Sequence, residues 1–217
     1  MKVSIEKALV LSPHTDDAFI GAGGLIHILS KQGCEIIYHA FTTCDDTLVG
    51  TEFNPGEIAR EDKAAAKILG VHKVTHHDYT NKKLEENRQE ILDIIYEYRN
   101  SEQIDLFIAP YIGDFHQDHT TVAEEALRAT TRHQVTLLQY PVIGTSKDFN
   151  PNLFVPLTKE DVDTKISAIK CYKTQFKLRN HWFDTDTFVA DLKTNGVYIN
   201  AEYAEAFIQV KGTWLIE

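Results

Sequence analysis

Cysteine is scarce in this 217-residue chain: Cys34, Cys44 and Cys171 are odd in number, widely spaced and include no Cys-x-x-Cys pair. That excludes a disulfide framework and a thiolate zinc knuckle, and makes a reducing cytoplasm the expected compartment. Long apolar runs are missing too. The stretch Met1–Lys7 is charged and leads into only four apolar residues, Ala8–Leu11, too short for a secretory signal or a membrane span. Basic character is also low, with 22 Lys and Arg against 32 Asp and Glu, a formal charge of −10 and no Lys/Arg run. Such a chain repels a phosphate backbone or an anionic bilayer, so neither nucleic acid nor membrane is an expected partner, while small ligands stay open. No repeat, low-complexity tract or linker divides the sequence, and one domain over residues 1–217 is expected. At 43% hydrophobic and 25% charged residues the chain can bury an ordinary core without a structural metal, so any metal is expected to be catalytic.

What is present alternates regularly. Ala8–Leu11 reads as a buried strand stopping at Ser12-Pro13, Gly21–Gln32 as a helix ended by Gly33, and Glu35–Thr42 as a second strand. Ala-rich Glu57–Leu69, closed by Gly70, is a predicted helix, followed by a strand over Val71–His76. Leu84–Tyr98 carries a helical apolar stripe, Ile104–Ala109 is a fourth strand, Thr121–Thr130 a helix, Val135–Tyr140 a strand and Val162–Gln175 a helix. Short, continuously apolar strands alternating with helices predict an α/β, Rossmann-like, mostly parallel sheet with helices on both faces. Asn180–Gly196 carries the weakest local signal.

Such sheets bind ligands beyond the carboxyl ends of their strands, and two polar clusters fall there. His14-Thr15-Asp16-Asp17 follows the first strand and His116-Gln117-Asp118-His119 follows the fourth. Together they offer three imidazoles and three carboxylates, enough for a zinc site with three protein ligands, an open position and acid/base groups. Gly21-Ala22-Gly23-Gly24 lies about ten residues past the strand, too far for a dinucleotide fingerprint, whose glycines belong in the first turn.

Ser12-Pro13-His14-Thr15-Asp16-Asp17 with Gly21-Ala22-Gly23-Gly24, and later His116-Gln117-Asp118-His119, resembles the LmbE-like (PIG-L-like) zinc N-deacetylase family. Arg60-Glu61 ahead of Ala64–Val71, Tyr172-Lys173-Thr174-Gln175 and Tyr203-Ala204-Glu205-Ala206-Phe207 extend the resemblance over nearly the whole chain. It implies zinc held by His14, Asp17 and His119, with iron accepted by the same ligand set. It also implies Asp16 as general base, Arg60 as a substrate ligand, an N-acylated sugar or sugar conjugate as substrate, and a homo-oligomer. The expected reaction is hydrolysis of the N-acetyl (acyl) amide, with water activated at the metal as nucleophile. His116 is the candidate for stabilising the oxyanion and protonating the amine, with Asp118 hydrogen-bonding its imidazole and raising its pKa.

Several residues admit a second reading. Asp16 and Asp17 also suit a helix start, and Asp118 precedes the capping-box pattern Thr121-Val122-Ala123-Glu124. Arg60 also suits a solvated helix face beside Glu57 or Asp62. Thr15 and Gln117 stand where the family has proline and Ala18 where it has glutamate, which loosens the expected loop geometry. Deformylation, hydrolysis of another small amide, and non-catalytic ligand binding on the same fold are therefore the competing functions. The loops Asp45–Gly56 and Asn180–Gly196 are expected to select the acceptor, and Tyr198 does not align cleanly with any oxyanion tyrosine.

Overall fold

The computed structural model describes residues 5–213, so Met1–Ser4 of the charged N-terminal stretch lie outside the described residues. In order come β1 (Lys7–His14), α1 (Asp17–Lys31), β2 (Glu35–Thr42), α2 (Glu57–Leu69), β3 (Lys73–His76), α3 (Arg88–Ser101), β4 (Leu106–Pro110), α4 (Gln117–Thr130) and β5 (Thr136–Tyr140). Then follow β6 (Leu153–Leu157), α5 (Lys159–Ile169), α6 (Lys173–Leu178), α7 (Thr185–Val197) and β7 (Tyr203–Lys211). No helix among the described residues is long and apolar enough to cross a membrane.

Seven strands form one sheet in the order β3-β2-β1-β4-β5-β7-β6. The first five are mutually parallel; β1, β2, β4 and β5 are buried along nearly their whole length, as strands covered on both faces have no polar side to show, while the edge strand β3 is part-exposed. One core cluster lies under α1, α2, α5 and α7, with Phe19, Leu69, Ile169 and Phe188 fully buried in it. The other lies under α3 and α4 and buries Ile91, Ile95, Val122 and Phe107. The expected α/β architecture is thus present, with one addition: β7 pairs antiparallel with both β5 and β6. Chain order runs outward from β1 through β2 to β3 on one side and from β4 to β5 on the other. A crevice therefore opens between β1 and β4, where the strand order reverses.

The glycines after β1 serve packing. A Cβ on Gly21 would sit 2.4 Å from Tyr140 Cδ2, and one on Gly24 would sit 2.7 Å from Leu157 Cδ1, so their absence lets α1 lie close against the sheet. Glu205 of the Tyr203–Phe207 signature is structural as well. Its carboxylate accepts hydrogen bonds from Gly24 N and Leu25 N and pairs with Lys165 Nζ, each at 2.7 Å, joining α1, α5 and β7. The predicted helix Val162–Gln175 is instead broken between α5 and α6. The break turns the Tyr172 ring into the core, where its hydroxyl meets Asp62 Oδ1 at 2.5 Å and Thr15 O at 2.9 Å.

Candidate metal and catalytic site

The two polar clusters meet at the crevice. His14 closes β1, Asp16 and Asp17 open α1, His116 caps α4 and His119 lies in its first turn. Three atoms form a tight triangle: His14 Nδ1 to Asp17 Oδ2 is 2.9 Å, His119 Nε2 to Asp17 Oδ2 is 3.2 Å, and His119 Nε2 to His14 Nδ1 is 3.2 Å. Zinc with nitrogen and oxygen ligands at about 2.0–2.1 Å in a tetrahedron separates its donors by about 3.3 Å, close to these edges. His14, His116 and His119 can also each offer a ring nitrogen within 4.8 Å of the others, a looser set. The tighter triangle is the better cation cradle, because it includes a carboxylate to balance the charge.

Each histidine of the triangle has a carboxylate behind it. Asp118 Oδ2 lies 3.1 Å from His14 Nε2, while its two oxygens accept Lys82 N at 2.7 Å and Leu84 N at 3.1 Å. Asp114 Oδ1 lies 3.1 Å from His119 Nδ1 and accepts His116 N at 2.8 Å, and its Oδ2 accepts the hydroxyls of Thr145 and Ser146. A carboxylate on the far ring nitrogen fixes the tautomer and strengthens the near nitrogen as a ligand. Burial alone would discharge these imidazoles, but Asp17 with Asp118 lifts His14 to about 9, and Asp17 with Asp114 lifts His119 to about 10. The crevice therefore attracts positive charge.

The placement of Asp118 corrects one expectation: its carboxylate serves His14, not His116, and it does not act as a helix cap. Its place in the first turn of α4 aims it across at the Lys82–Leu84 loop and β1. His116 is itself the N-cap, with Nδ1 accepting Asp118 N at 3.2 Å. Burial and the adjoining His14 and His119 push its pKa down to about 4, opposite to the expected direction. With Nδ1 accepting, a neutral His116 carries its proton on Nε2. Its ring stacks on His119 with centroids 4.6 Å apart.

Neither aspartate at the start of α1 caps it in the ordinary way. The Asp16 side chain makes no capping bond, and Asp17 turns back to accept His14 N at 3.0 Å. Asp16 lines the cavity, and burial together with the Asp17 charge pushes its pKa up to about 7. The loop carrying both is anchored despite lacking the family proline. Thr15 O accepts hydrogen bonds from Tyr38 at 2.6 Å and Tyr172 at 2.9 Å, and the same hydroxyls face Asp62, which also meets His76 Nε2 at 2.6 Å. Gln117 likewise ties its loop across the crevice by donating to Lys82 O at 3.1 Å.

A cavity of about 430 Å³ opens over the triangle, lined by Asp16, His116, Thr47, Asn81, Lys82, Thr145, Gln175, Arg179 and Trp182 among others. Arg60 is not among its lining residues. Its side chain is 63% exposed and its nearest carboxylate is Glu57 at 3.8 Å, because its position on α2 turns it to solvent. The arginine in the cavity is Arg179, whose charge acts on Asp16. Tyr198 is 72% exposed, stacks on Phe154 and also lies outside the cavity. Asp114 and Arg179 lie outside the two clusters that the sequence pattern singles out. Asp114 is legible as a fourth carboxylate two residues before His116, whereas nothing local marks Arg179.

Similarity to known proteins agrees with this geometry. The chain is 27% identical over 192 residues to diacetylchitobiose deacetylase of Thermococcus kodakarensis, covering 79% of this chain and 71% of that protein. N,N'-diacetylchitobiose deacetylase of Pyrococcus horikoshii, solved with an inhibitor, superposes with a TM-score of 0.73 at 25% identity over 94% of this chain and 83% of that one. 4-Carboxy-2-hydroxymuconate hydratase of Pseudomonas putida KT2440 superposes with a TM-score of 0.81 at 20% identity, covering 98% and 99%, which shows the shared fold alone. The model of the GlcNAc-PI de-N-acetylase (PIG-L) family matches residues 9–130, both polar clusters included, and the chain belongs to that family.

Proposed function

We propose that this protein is a zinc-dependent hydrolase that removes an acetyl or similar acyl group from the nitrogen of a small amino sugar. The observation that carries this reading is the triangle of His14 Nδ1, Asp17 Oδ2 and His119 Nε2, with edges of 2.9–3.2 Å at the floor of a sugar-sized cavity. Zinc, or iron in the same ligand set, would supply Lewis acidity toward the amide carbonyl and make water easier to deprotonate.

The chain's own groups divide the remaining work. Asp16, next to a ligand but outside the triangle, takes a proton from the attacking water as oxygen bonds to the acyl carbon. His116, neutral with its proton on Nε2, donates a hydrogen bond to the carbonyl oxygen as negative charge develops there. The C–N bond then breaks, and Asp16 returns its proton to the departing amine, leaving a carboxylic acid and the free amino sugar. This takes the acid role expected of His116, whose Nδ1 is engaged by Asp118 N and whose Nε2 proton is directed at the oxyanion. Asp118 and Asp114 hold His14 and His119 in register throughout. The hydrolysed amides named for the deacetylase relatives support a sugar substrate, and no ligand is lost at Thr15, Ala18 or Gln117 to favour a non-catalytic role.

The test is Asp16→Asn, assayed for metal content and for acetate release from N-acetylglucosamine and diacetylchitobiose. Retained metal with turnover reduced by about 10²-fold or more fits the reading. Loss of metal together with activity would make Asp16 a ligand and remove its assigned role. N-formyl analogues in the same panel separate deacetylation from deformylation.

A further inference from the structure

Asp62, on α2, is fully buried yet lies outside the cavity, and its ion-pairing partner among the described residues is His76, whose Nε2 sits 2.6 Å from Oδ2. Enclosing a carboxylate so completely is costly unless both oxygens are hydrogen-bonded. Its other oxygen, Oδ1, lies 2.5 Å from the Tyr172 hydroxyl and 3.2 Å from the Tyr38 hydroxyl. The same two hydroxyls lie 2.9 and 2.6 Å from Thr15 O, so the four oxygens close a ring in the order Asp62, Tyr172, Thr15, Tyr38. Each phenol has one proton for two acceptors, so when one gives its proton to Asp62 the other donates to Thr15 O. The short edges favour Tyr172 donating to the carboxylate and Tyr38 to the carbonyl. Thr15 O belongs to the peptide bond that leads into Asp16, whose side chain makes no capping bond to fix it independently. Thr15 also stands where the family has proline, so hydrogen bonds to its carbonyl supply the stiffness that a proline ring would give.

We propose that Asp62, acting through the hydroxyls of Tyr38 and Tyr172, is a positioning residue that locks the Thr15–Asp16 peptide and so aims the Asp16 carboxylate at the water it deprotonates. This rests on the deacetylase reading for the role of Asp16, while the anchoring of the peptide stands apart from it. The parts of the device come from α2, β2, the start of α6 and the loop after β1. The Tyr172-Lys173-Thr174-Gln175 signature thereby gains a task for its tyrosine hydroxyl that core packing of the ring does not require. The competing role for Asp62 is a staple that only holds α2 to its neighbours. Such a staple would set stability and leave the turnover of folded molecules alone.

Tyr38→Phe and Tyr172→Phe separate these, because each keeps its aromatic ring in the core and removes one proton from the ring of oxygens. The zinc-loaded variants are assayed for metal content and for acetate release from diacetylchitobiose, and the peptide itself is observed by NMR. With isotope labels at threonine carbonyls and aspartate nitrogens, Asp16 and Asp186 are the two aspartates that follow a threonine, so one signal reports the Thr15–Asp16 peptide and the other is an internal reference. Each variant is expected to keep its zinc, hold KM within about twofold, lower kcat about 10-fold and shift the Asp16 signal but not that of Asp186. The double variant and Asp62→Asn lower kcat about 100-fold. Tyr140→Phe, which removes the buried phenol donating to Leu11 O at 3.0 Å, loses comparable stability with kcat within about twofold of wild type. Asp62→Asn is the variant at risk of misfolding, and the phenol variants decide the matter without it. An unmoved Asp16 signal, loss of zinc, a rise in KM in place of the fall in kcat, or wild-type kcat in the double variant overturns the proposal. A shifted Asp16 signal in a protein whose wild type releases no acetate from any N-acetyl sugar would keep the anchoring and instead overturn the deacetylase reading.

Discussion

Two imidazole clusters sit on this sheet, and their difference shows what a histidine needs to hold a cation. His14, His116 and His119 gather at the crevice. On β2, His39 Nδ1 lies 2.8 Å from His77 Nε2, the rings stacked at 5.1 Å and flanked by Phe41 and Tyr98. The two clusters have similar nitrogen–nitrogen separations, but only the first has carboxylates: Asp17 in the triangle and Asp118 and Asp114 behind it. The consequences are opposite. His14 and His119 are lifted to about 9 and 10, whereas burial and His77 push His39 down to about 3. Proximity of imidazoles is thus insufficient, and the neighbouring carboxylates decide whether a pair accepts positive charge or excludes it.

The largest expected effect breaks the first cluster. His119→Ala reduces bound zinc to background, as measured by elemental analysis of the purified protein, while His39→Gln keeps the metal and the activity. Equal metal loss in both variants would erase the distinction. Next in size is the supporting carboxylate: Asp118→Asn is expected to weaken zinc binding about 10–100-fold in a chelator competition, with the fold intact by circular dichroism. An unchanged affinity would reduce Asp118 to a brace for the Lys82–Leu84 loop.

The smallest effect concerns the second cluster. A buried histidine whose folded pKa is depressed to about 3 stays neutral while the unfolded chain takes up a proton below about 6.5. The fold therefore loses stability as pH falls from about 6.5 towards 3, by up to about 1–2 kcal/mol between pH 7 and 5 from this residue. Denaturant titrations should show a flatter acid limb for His39→Gln than for wild type. The same slope in both would place the acid sensitivity elsewhere.

Much of this was readable from the chain. The parallel half announces itself because buried strands such as Ala8–Leu11 and Leu106–Ala109 are uninterrupted apolar runs, and the polar clusters follow strand ends, the first directly and the second after a short loop. Boundaries differ where chemistry intrudes: α1 begins at Asp17 and α4 at Gln117, because the candidate site residues are themselves in the first turns of those helices. The antiparallel β6–β7 pair is not legible because Pro156 interrupts one strand, and Glu205, Gln209 and Lys211 give the other a polar pattern. Asn180–Gly196 contains α7, whose Asp184 caps Asp186 N and Thr187 N, a start signal weakened by the irregular apolar pattern that follows. Partners across the crevice are the least legible of all. Whether Asp118 faces His116 or His14, and whether Arg60 or Arg179 enters the cavity, depends on helix rotation that no local pattern encodes.

The central claim is that His14 Nδ1, an Asp17 oxygen and His119 Nε2 together hold one divalent cation. Anomalous diffraction at the zinc edge from crystals of the zinc-loaded protein tests it most directly. The account predicts a single peak within about 2.0–2.2 Å of those three atoms, with Asp118 still hydrogen-bonded to His14 Nε2. A peak ligated by His116 in place of Asp17, or zinc bound only at the His39–His77 pair, would contradict it.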